Sequence, residues 1–426
     1  MERDLNRRRF IKLTGAGGMA AIAGCAGDDG EPATTEAPEE TTVEPTTEEP
    51  EETTTEEEVD YTDPAETENA LIEPQTLNEW VQAGLVNSDD VYADPRVAVI
   101  RVDASKYSSG HVPGAVPLAA GDAQGAATLK ATRVEGLAET QNLVPTGETV
   151  DQIIQAAGVG PNTTIVLSGD NPMYAARAYW TLRFYGFPRE RVKMLQGGST
   201  AYDEEFGLVF EDVETPETGY TIKDFEEPNY ALRKGLNELI QDVDDPEAGD
   251  RTTTVVDQRG EGDGDGEAKI AGSVIDTAGS YIEGGGFTGP NPWKSASDIE
   301  DHVFGYDGVE EGDEIVTMCH SGFKGTVAFF ALDGIAKYDH VALYDGSWSY
   351  SWSQYNGEQD PAPNDAWRTD MKDRTEGEIT GTGNLSIDPD LNEQLTELAS
   401  LDANQIKKEA ITYVVGSTSG DFGCGS

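Results

Sequence analysis

The chain repeats itself. An apolar run, Val97-Ala98-Val99-Ile100-Arg101-Val102-Asp103, precedes Ser109-Gly110-His111-Val112-Pro113-Gly114-Ala115-Val116, and Thr253-Thr254-Val255-Val256-Asp257 precedes Lys269-Ile270-Ala271-Gly272-Ser273-Val274. Further on, Thr164-Ile165-Val166-Leu167-Ser168-Gly169 is answered by Glu314-Ile315-Val316-Thr317-Met318-Cys319, and the offset from Ile165 to Ile315 is 150 residues. Each of these runs leads into a helix-length apolar stretch, Ala175 to Tyr185 and Thr326 to Ala336. Each stretch then yields to a short strand and a glycine turn, Met194-Leu195-Gln196-Gly197-Gly198 and Ala342-Leu343-Tyr344-Asp345-Gly346-Ser347. A fixed offset means that one supersecondary unit is built twice. Short, continuously apolar strands alternating with helices predict a parallel sheet buried on both faces, hence an α/β fold in two tandem domains. The domains are expected at 71–202 and 231–356, joined by a stretch rich in Glu, Pro and Thr at 203–230. In such sheets ligands sit at the carboxyl ends of the strands.

The flanks are of another kind. Among 426 residues there are 81 acidic and 29 basic side chains, a formal charge of −52. Eighteen of the acids lie between Asp28 and Glu68, where no Lys or Arg occurs. A Thr/Glu/Pro tract of this composition cannot bury enough apolar surface to offset its ordering entropy, so 26–70 reads as a disordered linker. The remaining chain is still strongly acidic, which excludes phosphate-neutralising contact with nucleic acid and suits a halophilic protein, whose self-repulsion concentrated salt would screen. The first 25 residues carry Arg7-Arg8-Arg9-Phe10-Ile11-Lys12, a short apolar run and Ile22-Ala23-Gly24-Cys25. Paired arginines before a modest apolar segment form a twin-arginine export signal. The small residues before Cys25 form a lipobox, so the expectation is a lipid on Cys25 and a domain tethered outside the cell membrane. No apolar run reaches the roughly 18 residues of a spanning helix. A tail at 357–426 follows the repeat; in it Ala410 to Val415 has the character of a helix or strand, and Cys424 lies near the end.

The most informative stretch is Met318-Cys319-His320-Ser321-Gly322-Phe323-Lys324-Gly325-Thr326. A buried strand ends at Cys319 and a helix begins near Thr326, with glycines between that let the backbone curl. Several N–H groups then point at one atom, which makes an anion-binding nest at a helix N-terminus. A thiol placed there is favoured as its thiolate. In a phosphatase of the Cys-x5-Arg type an arginine six residues after the cysteine clamps phosphate, but this chain has Gly325 there. A loop of this size fits one sulfur atom better than a tetrahedral phosphate. The expected chemistry is attack by Cys319 on a sulfane sulfur, leaving a persulfide.

With these residues the chain resembles a tandem-domain rhodanese, a thiosulfate or 3-mercaptopyruvate sulfurtransferase. The resemblance spans about Leu71 to Tyr355 and rests on His111-Val112-Pro113-Gly114-Ala115, Val256-Asp257-Gln258-Arg259, the Cys319 loop and Tyr344-Asp345-Gly346-Ser347-Trp348. It implies a first domain that keeps the fold without the nucleophile, in agreement with Gly169-Asp170-Asn171-Pro172 at the matching position. It also implies a small-molecule sulfur donor, a thiophilic acceptor and no cofactor. Thiosulfate enzymes of the family commonly carry Cys-Arg-Lys-Gly and mercaptopyruvate enzymes Cys-Gly-Ser-Gly. This loop has Ser321-Gly322 like the latter and a cation, Lys324, further along, which leaves the donor open. His320, Ser321, Gly322, Phe323, Lys324, Gly325 and Arg259 are the candidate substrate-binding residues. Lys324 reads equally as a solvated residue at a helix start, Arg259 as the partner of an acidic neighbour, and His320 as a proton donor or a side chain turned away. Asp257 reads as a turn-capping carboxylate and His111 as a structural hydrogen-bonding residue. The four histidines show no metal-ligand spacing. The acidic glycine stretch from Gly260 to Gly266 lacks the closing Glu of a calcium loop.

Overall fold

The computed structural model describes residues 61–135, 138–244, 249–260, 269–270, 272–287, 289–352 and 406–415. The predicted signal, lipobox and acidic tract up to residue 60, most of Gly260 to Gly266, and Cys424 lie outside them. Both halves of the repeat belong to one compact unit, Glu57–Ser426.

In the first half, β1 (Leu71–Ile72), α1 (Pro74–Gln82), β2 (Arg96–Arg101), β3 (Val116–Pro117), α2 (Gly147–Ala156), β4 (Thr163–Ser168), α3 (Pro172–Phe184), β5 (Val192–Leu195) and α4 (Gly198–Phe206) follow in order. The five strands form one parallel sheet in the order β1-β5-β4-β2-β3. The second half supplies α5 (Leu236–Asp244), β6 (Thr253–Asp257), β7 (Val274–Ile275), α6 (Ala296–Val303), β8 (Glu314–Met318), α7 (Gly325–Phe330) and β9 (Val341–Leu343), with a parallel sheet ordered β7-β6-β8-β9. The shared order is the repeat made visible. Where the first sheet adds β1 at its edge, the second has a one-residue bridge from Arg233 to Leu343. All six residues of β2 and of β4 are buried, which accounts for the continuous apolar run at the centre of each, 97–100 and 165–167.

The halves pack through α3 and α7. Most of α3 is buried because it is covered by its own sheet on one side and by the second half on the other. Tyr179 meets Phe330 edge-on at 4.8 Å, and residues of both halves share one apolar core. Beyond α7 the helix widens into a π-type turn over Ala331–Ala336 that carries Asp333. This buried carboxylate accepts from Tyr179 Oη at 2.6 Å, Arg183 Nε at 2.9 Å and Arg189 Nη2 at 3.0 Å, so one charge is held by three groups of the first domain. Burial favours its neutral form, but the two guanidiniums outweigh that and hold Asp333 below the usual carboxylate range.

Around the domain boundary expected at 202, the helix α4 runs from Gly198 to Phe206 and buries Tyr202. The following connection is also stitched to the first domain: His111 and Val209 exchange both backbone hydrogen bonds at 2.9 Å. In the tail, residues 406–415 are helical. Ile406, Ala410 and Val414 form a buried stripe at helical spacing. From this helix Tyr413 donates to Asp151 at 2.7 Å and Glu409 pairs with Arg133 at 2.6 Å, both in the first domain, while Lys407 pairs with Glu238 of the second. Among the described residues no helix is long and apolar enough to cross a membrane.

Candidate active site

Cys319 follows β8 directly and is 1% exposed. Its backbone N–H donates to Ser347 Oγ at 3.3 Å, and that hydroxyl donates to the Tyr344 carbonyl at 2.9 Å, so the turn after β9 fixes where the loop begins. The next carbonyls are taken one after another. Trp348 N donates to Cys319 O and Ser349 N to His320 O, each at 2.9 Å. Asn142 Nδ2 donates to Ser321 O at 3.3 Å, Arg177 Nη1 to Gly322 O at 3.0 Å, and Thr326 Oγ1 to Phe323 O at 2.6 Å. In a planar trans peptide the C=O and the following N–H point in opposite directions. Each of these five carbonyls has its own donor, so the amide that follows it points away from that donor, which a backbone nest requires.

Two glycines make this path possible. Gly322 has φ +78°, and a Cβ there would lie 2.4 Å from the Asp345 carbonyl oxygen. At Gly325 a Cβ would come within 3.1 Å of the Met318 backbone and 3.0 Å of Leu343 Cδ1, so a side chain at the position of a phosphatase's arginine would press against β8 and β9.

The remaining sequence-predicted residues fall on different sides of this loop. Phe323 is buried, meets Tyr174 of the first domain edge-on at 6.1 Å, and lies under the Arg177 guanidinium at 5.2 Å. Ser321 and Lys324 are half-buried, Lys324 at the entrance to α7. His320 is half-buried with Nδ1 3.3 Å from Ser349 Oγ. Arg259 takes the second of its two readings: its Nη2 pairs with Asp257 Oδ2 at 2.7 Å and its guanidinium stacks 4.1 Å over Trp348. Asp257 also accepts from Arg259 N at 3.1 Å, as a turn-capping carboxylate does. His111 is buried, stacked on Tyr107 at 4.0 Å, with Nε2 3.0 Å from the Glu211 carbonyl. Among the described residues no group of His, Cys, Asp and Glu is placed to hold a metal ion.

Sequence reasoning missed the frame behind the loop. Arg233 Nε pairs with Asp345 at 2.9 Å and its Nη2 with Glu135 at 2.5 Å, all three fully buried. Glu135 also accepts from Ser351 at 3.1 Å, and Asp345 from Val144 N at 2.7 Å. Arg177 and Asn142, both of the first domain, were missed as well; the available signal was an arginine at position 177 in the middle of the buried stretch of α3.

Fold and site define a tandem α/β protein in which, among the described residues, one buried cysteine opens a glycine-bearing loop at the carboxyl edge of the second sheet. A family model, the rhodanese-like domain, matches residues 78–205. The chain is 27% identical to a Haloferax volcanii protein named "Putative thiosulfate sulfurtransferase" over 66% of this chain and 93% of that one. It is 26% identical to the Thermus thermophilus "Sulfur carrier protein TtuD" over 67% of this chain and 95% of that one. Among solved structures, SseA from Escherichia coli, described as a 3-mercaptopyruvate sulfotransferase with the rhodanese fold, is similar at TM-score 0.50 and 23% identity, covering 66% of this chain and 99% of that chain. Residues 78–205 are thus a match to the rhodanese-like domain, without a cysteine at the position answering Cys319, and the chain as a whole is similar to rhodanese-like sulfurtransferases.

Proposed function

We propose that the protein transfers sulfane sulfur from thiosulfate, or from 3-mercaptopyruvate, to a thiophilic acceptor such as cyanide or a thiol through a persulfide on Cys319. The observation that carries this reading is the run of five carbonyls from Cys319 to Phe323, each with its own donor, so that the amide after each points away from that donor, as stabilising an anionic sulfur requires. The Cys319 thiolate attacks the outer sulfur of thiosulfate; a new S–S bond forms, the old one breaks, and sulfite leaves with the bonding pair. With 3-mercaptopyruvate the C–S bond breaks instead, and the pyruvate enolate leaves and is protonated at carbon. An acceptor then attacks the terminal sulfur, and the Cys319 thiolate is released with the electron pair of the bond that breaks. The loop amides serve both charged forms, and Lys324 lies at the helix start where an anionic donor would approach. The residues before 60 add a location: twin-arginine export and a lipid on Cys25 would place this chemistry outside the cell membrane, on a domain suited to concentrated salt.

A second reading, a sulfur carrier that hands persulfide to a protein partner, is favoured by the relative named as a sulfur carrier protein. One experiment separates the two. The chain is incubated with each donor plus cyanide, thiocyanate is measured, and Cys319→Ser is run in parallel. The transferase reading expects turnover with at least one donor and none in the variant. A stoichiometric gain of one sulfur at Cys319 without turnover would support the carrier, and no sulfur uptake from either donor would overturn both.

A further inference from the structure

The first domain has no nucleophile, yet it sends one fully buried cation to the catalytic loop. Arg177 on α3 is 0% exposed and all its hydrogen bonds go to neutral carbonyls: Nη1 to Gly322 at 3.0 Å, Nη2 to Asn142 at 2.7 Å, and Nε to Leu129 at 3.1 Å. Its guanidinium also lies 4.5 Å over the Trp180 ring and 5.2 Å over Phe323. Among the described residues, none of its hydrogen-bond partners is a carboxylate. A buried guanidinium normally has an ionic partner, since the cost of removing it from water is large. Near the site Arg233 pairs with Glu135 and Asp345 and Arg259 with Asp257, while Arg96, remote from the loop, is likewise held, among the described residues, by neutral acceptors alone.

We propose that Arg177 is the positioning residue through which the first domain serves sulfur transfer: it fixes the Gly322 carbonyl, so aiming the loop amides, and its buried charge adds positive potential at the Cys319 thiolate or persulfide. The inference rests on Cys319 being the nucleophile. Burial lowers the Arg177 guanidinium to about 10, while the charges of Asp345 and Cys319 draw it back up, as expected of a cation whose balancing anions lie at a distance. Around the loop Arg259 pairs with Asp257, His320 lies against Ser349 and Lys324 precedes α7, while the buried frame sets two carboxylates, Asp345 and Glu135, against the single guanidinium of Arg233, so its excess negative charge also acts on Arg177.

The test compares Arg177→Lys, Arg177→Gln and Asn142→Gly in the full chain. Folding is checked by thermal melting, and iodoacetamide alkylation at Cys319 is followed by peptide mass across pH. Arg177→Gln removes the charge and should move the alkylation profile to higher pH, with kcat for thiosulfate falling about tenfold or more and KM changing little. Arg177→Lys should retain most of the pH profile and lose kcat through the lost fork to Gly322 and Asn142. Asn142→Gly removes only the Ser321 tie and keeps the backbone acceptor for Arg177; it should lower kcat and leave the pH profile in place, and it provides the reference if both arginine variants unfold. In that event alkylation of the wild-type chain decides: a Cys319 profile matching that of free cysteine overturns the proposal, and one displaced to lower pH supports it. An unshifted profile in a folded Arg177→Gln would also overturn it. Because alkylation needs no sulfur donor, a shifted profile without thiocyanate formation would fault the proposed reaction and leave the role of Arg177 standing.

Discussion

The two sheets end in the same place and do different things there. In the first domain β4 stops at Ser168 and three residues, Gly169-Asp170-Asn171, lead into α3; in the second β8 stops at Met318 and six residues, 319–324, lead into α7. The longer turn has room to bend its backbone around one atom. The shorter one is filled with charge. Asp170 accepts from Thr200 N at 3.0 Å and Thr200 Oγ1 at 2.8 Å and pairs with Arg101 at 3.2 Å, and Arg101 also pairs with Asp103 at 3.1 Å. A Cβ at Gly169 would lie 2.6 Å from Val102 Cγ2 and 2.9 Å from Asp103 Oδ1, so a side chain has no place where the second domain keeps its thiol. Topology positions both turns, and three residues of loop length with their contents decide which one can hold a reactive sulfur.

The sharpest way to break that comparison is to move the thiol. In Cys319→Ala, Gly169→Cys the sulfur should not regain function: thiocyanate formation should fall by about a thousandfold or more and stay there, as expected when a nucleophile leaves its cradle. Measurable turnover from a cysteine at position 169 would mean that the turn's contents matter less than its place on the sheet. A smaller change probes the cradle itself. Gly322→Ala keeps every functional side chain but places a Cβ against the Asp345 carbonyl at a left-handed φ, which costs on the order of 1–3 kcal/mol locally. With the amides displaced, turnover should drop about a hundredfold, while a chain that stays folded by circular dichroism shows that the loss is at the loop.

How much of this was legible in the sequence depends on the range of the interaction. The main strands, their parallel arrangement and the cysteine loop follow from local periodicity and a repeat of 150 residues, because buried parallel strands announce themselves as continuous apolar runs, whereas the order in which the strands pair was not readable. The empty cradle of the first domain was legible too, as Gly169 in place of cysteine. The support of the loop was not. Asn142 and Arg177 lie 179 and 145 positions from the carbonyls they bind, and nothing in their neighbourhood marks them except an arginine in the middle of the stretch that α3 buries. Arg259 shows the opposite limit. Its partner Asp257 is two residues away and a pair with an acidic neighbour was foreseen, yet the packing of the guanidinium over Trp348, 89 positions on, was not.

A finer contrast concerns how each domain treats a buried aspartate near its sheet edge. Asp276 in the second domain collects Gln258 Nε2 at 3.0 Å, Tyr281 Oη at 2.8 Å, His302 Nε2 at 3.0 Å and Tyr306 Oη at 3.0 Å. Burial alone would raise it, but these donors hold it at about 2. In the first domain burial dominates at Asp103, and its carboxyl is raised above the usual range despite Arg101. The signs of the linkage are therefore opposite. Asp276 has a folded value below its unfolded one, so its contribution is present above about pH 4 and is lost as pH falls toward 2, roughly 2 kcal/mol in all. Asp103 binds its proton more readily when folded, so its ionised form costs stability at neutral pH and that cost is relieved on acidification. Urea unfolding of wild type, Asp276→Asn and Asp103→Asn from pH 7 down to the acid limit of folding should show the wild type losing ground against Asp276→Asn below about pH 4 and gaining ground against Asp103→Asn before it. Parallel slopes for the two variants would mean that the two carboxylates do not differ as their surroundings require, and that the division between a charge-filled domain and a reactive one stops at the loops.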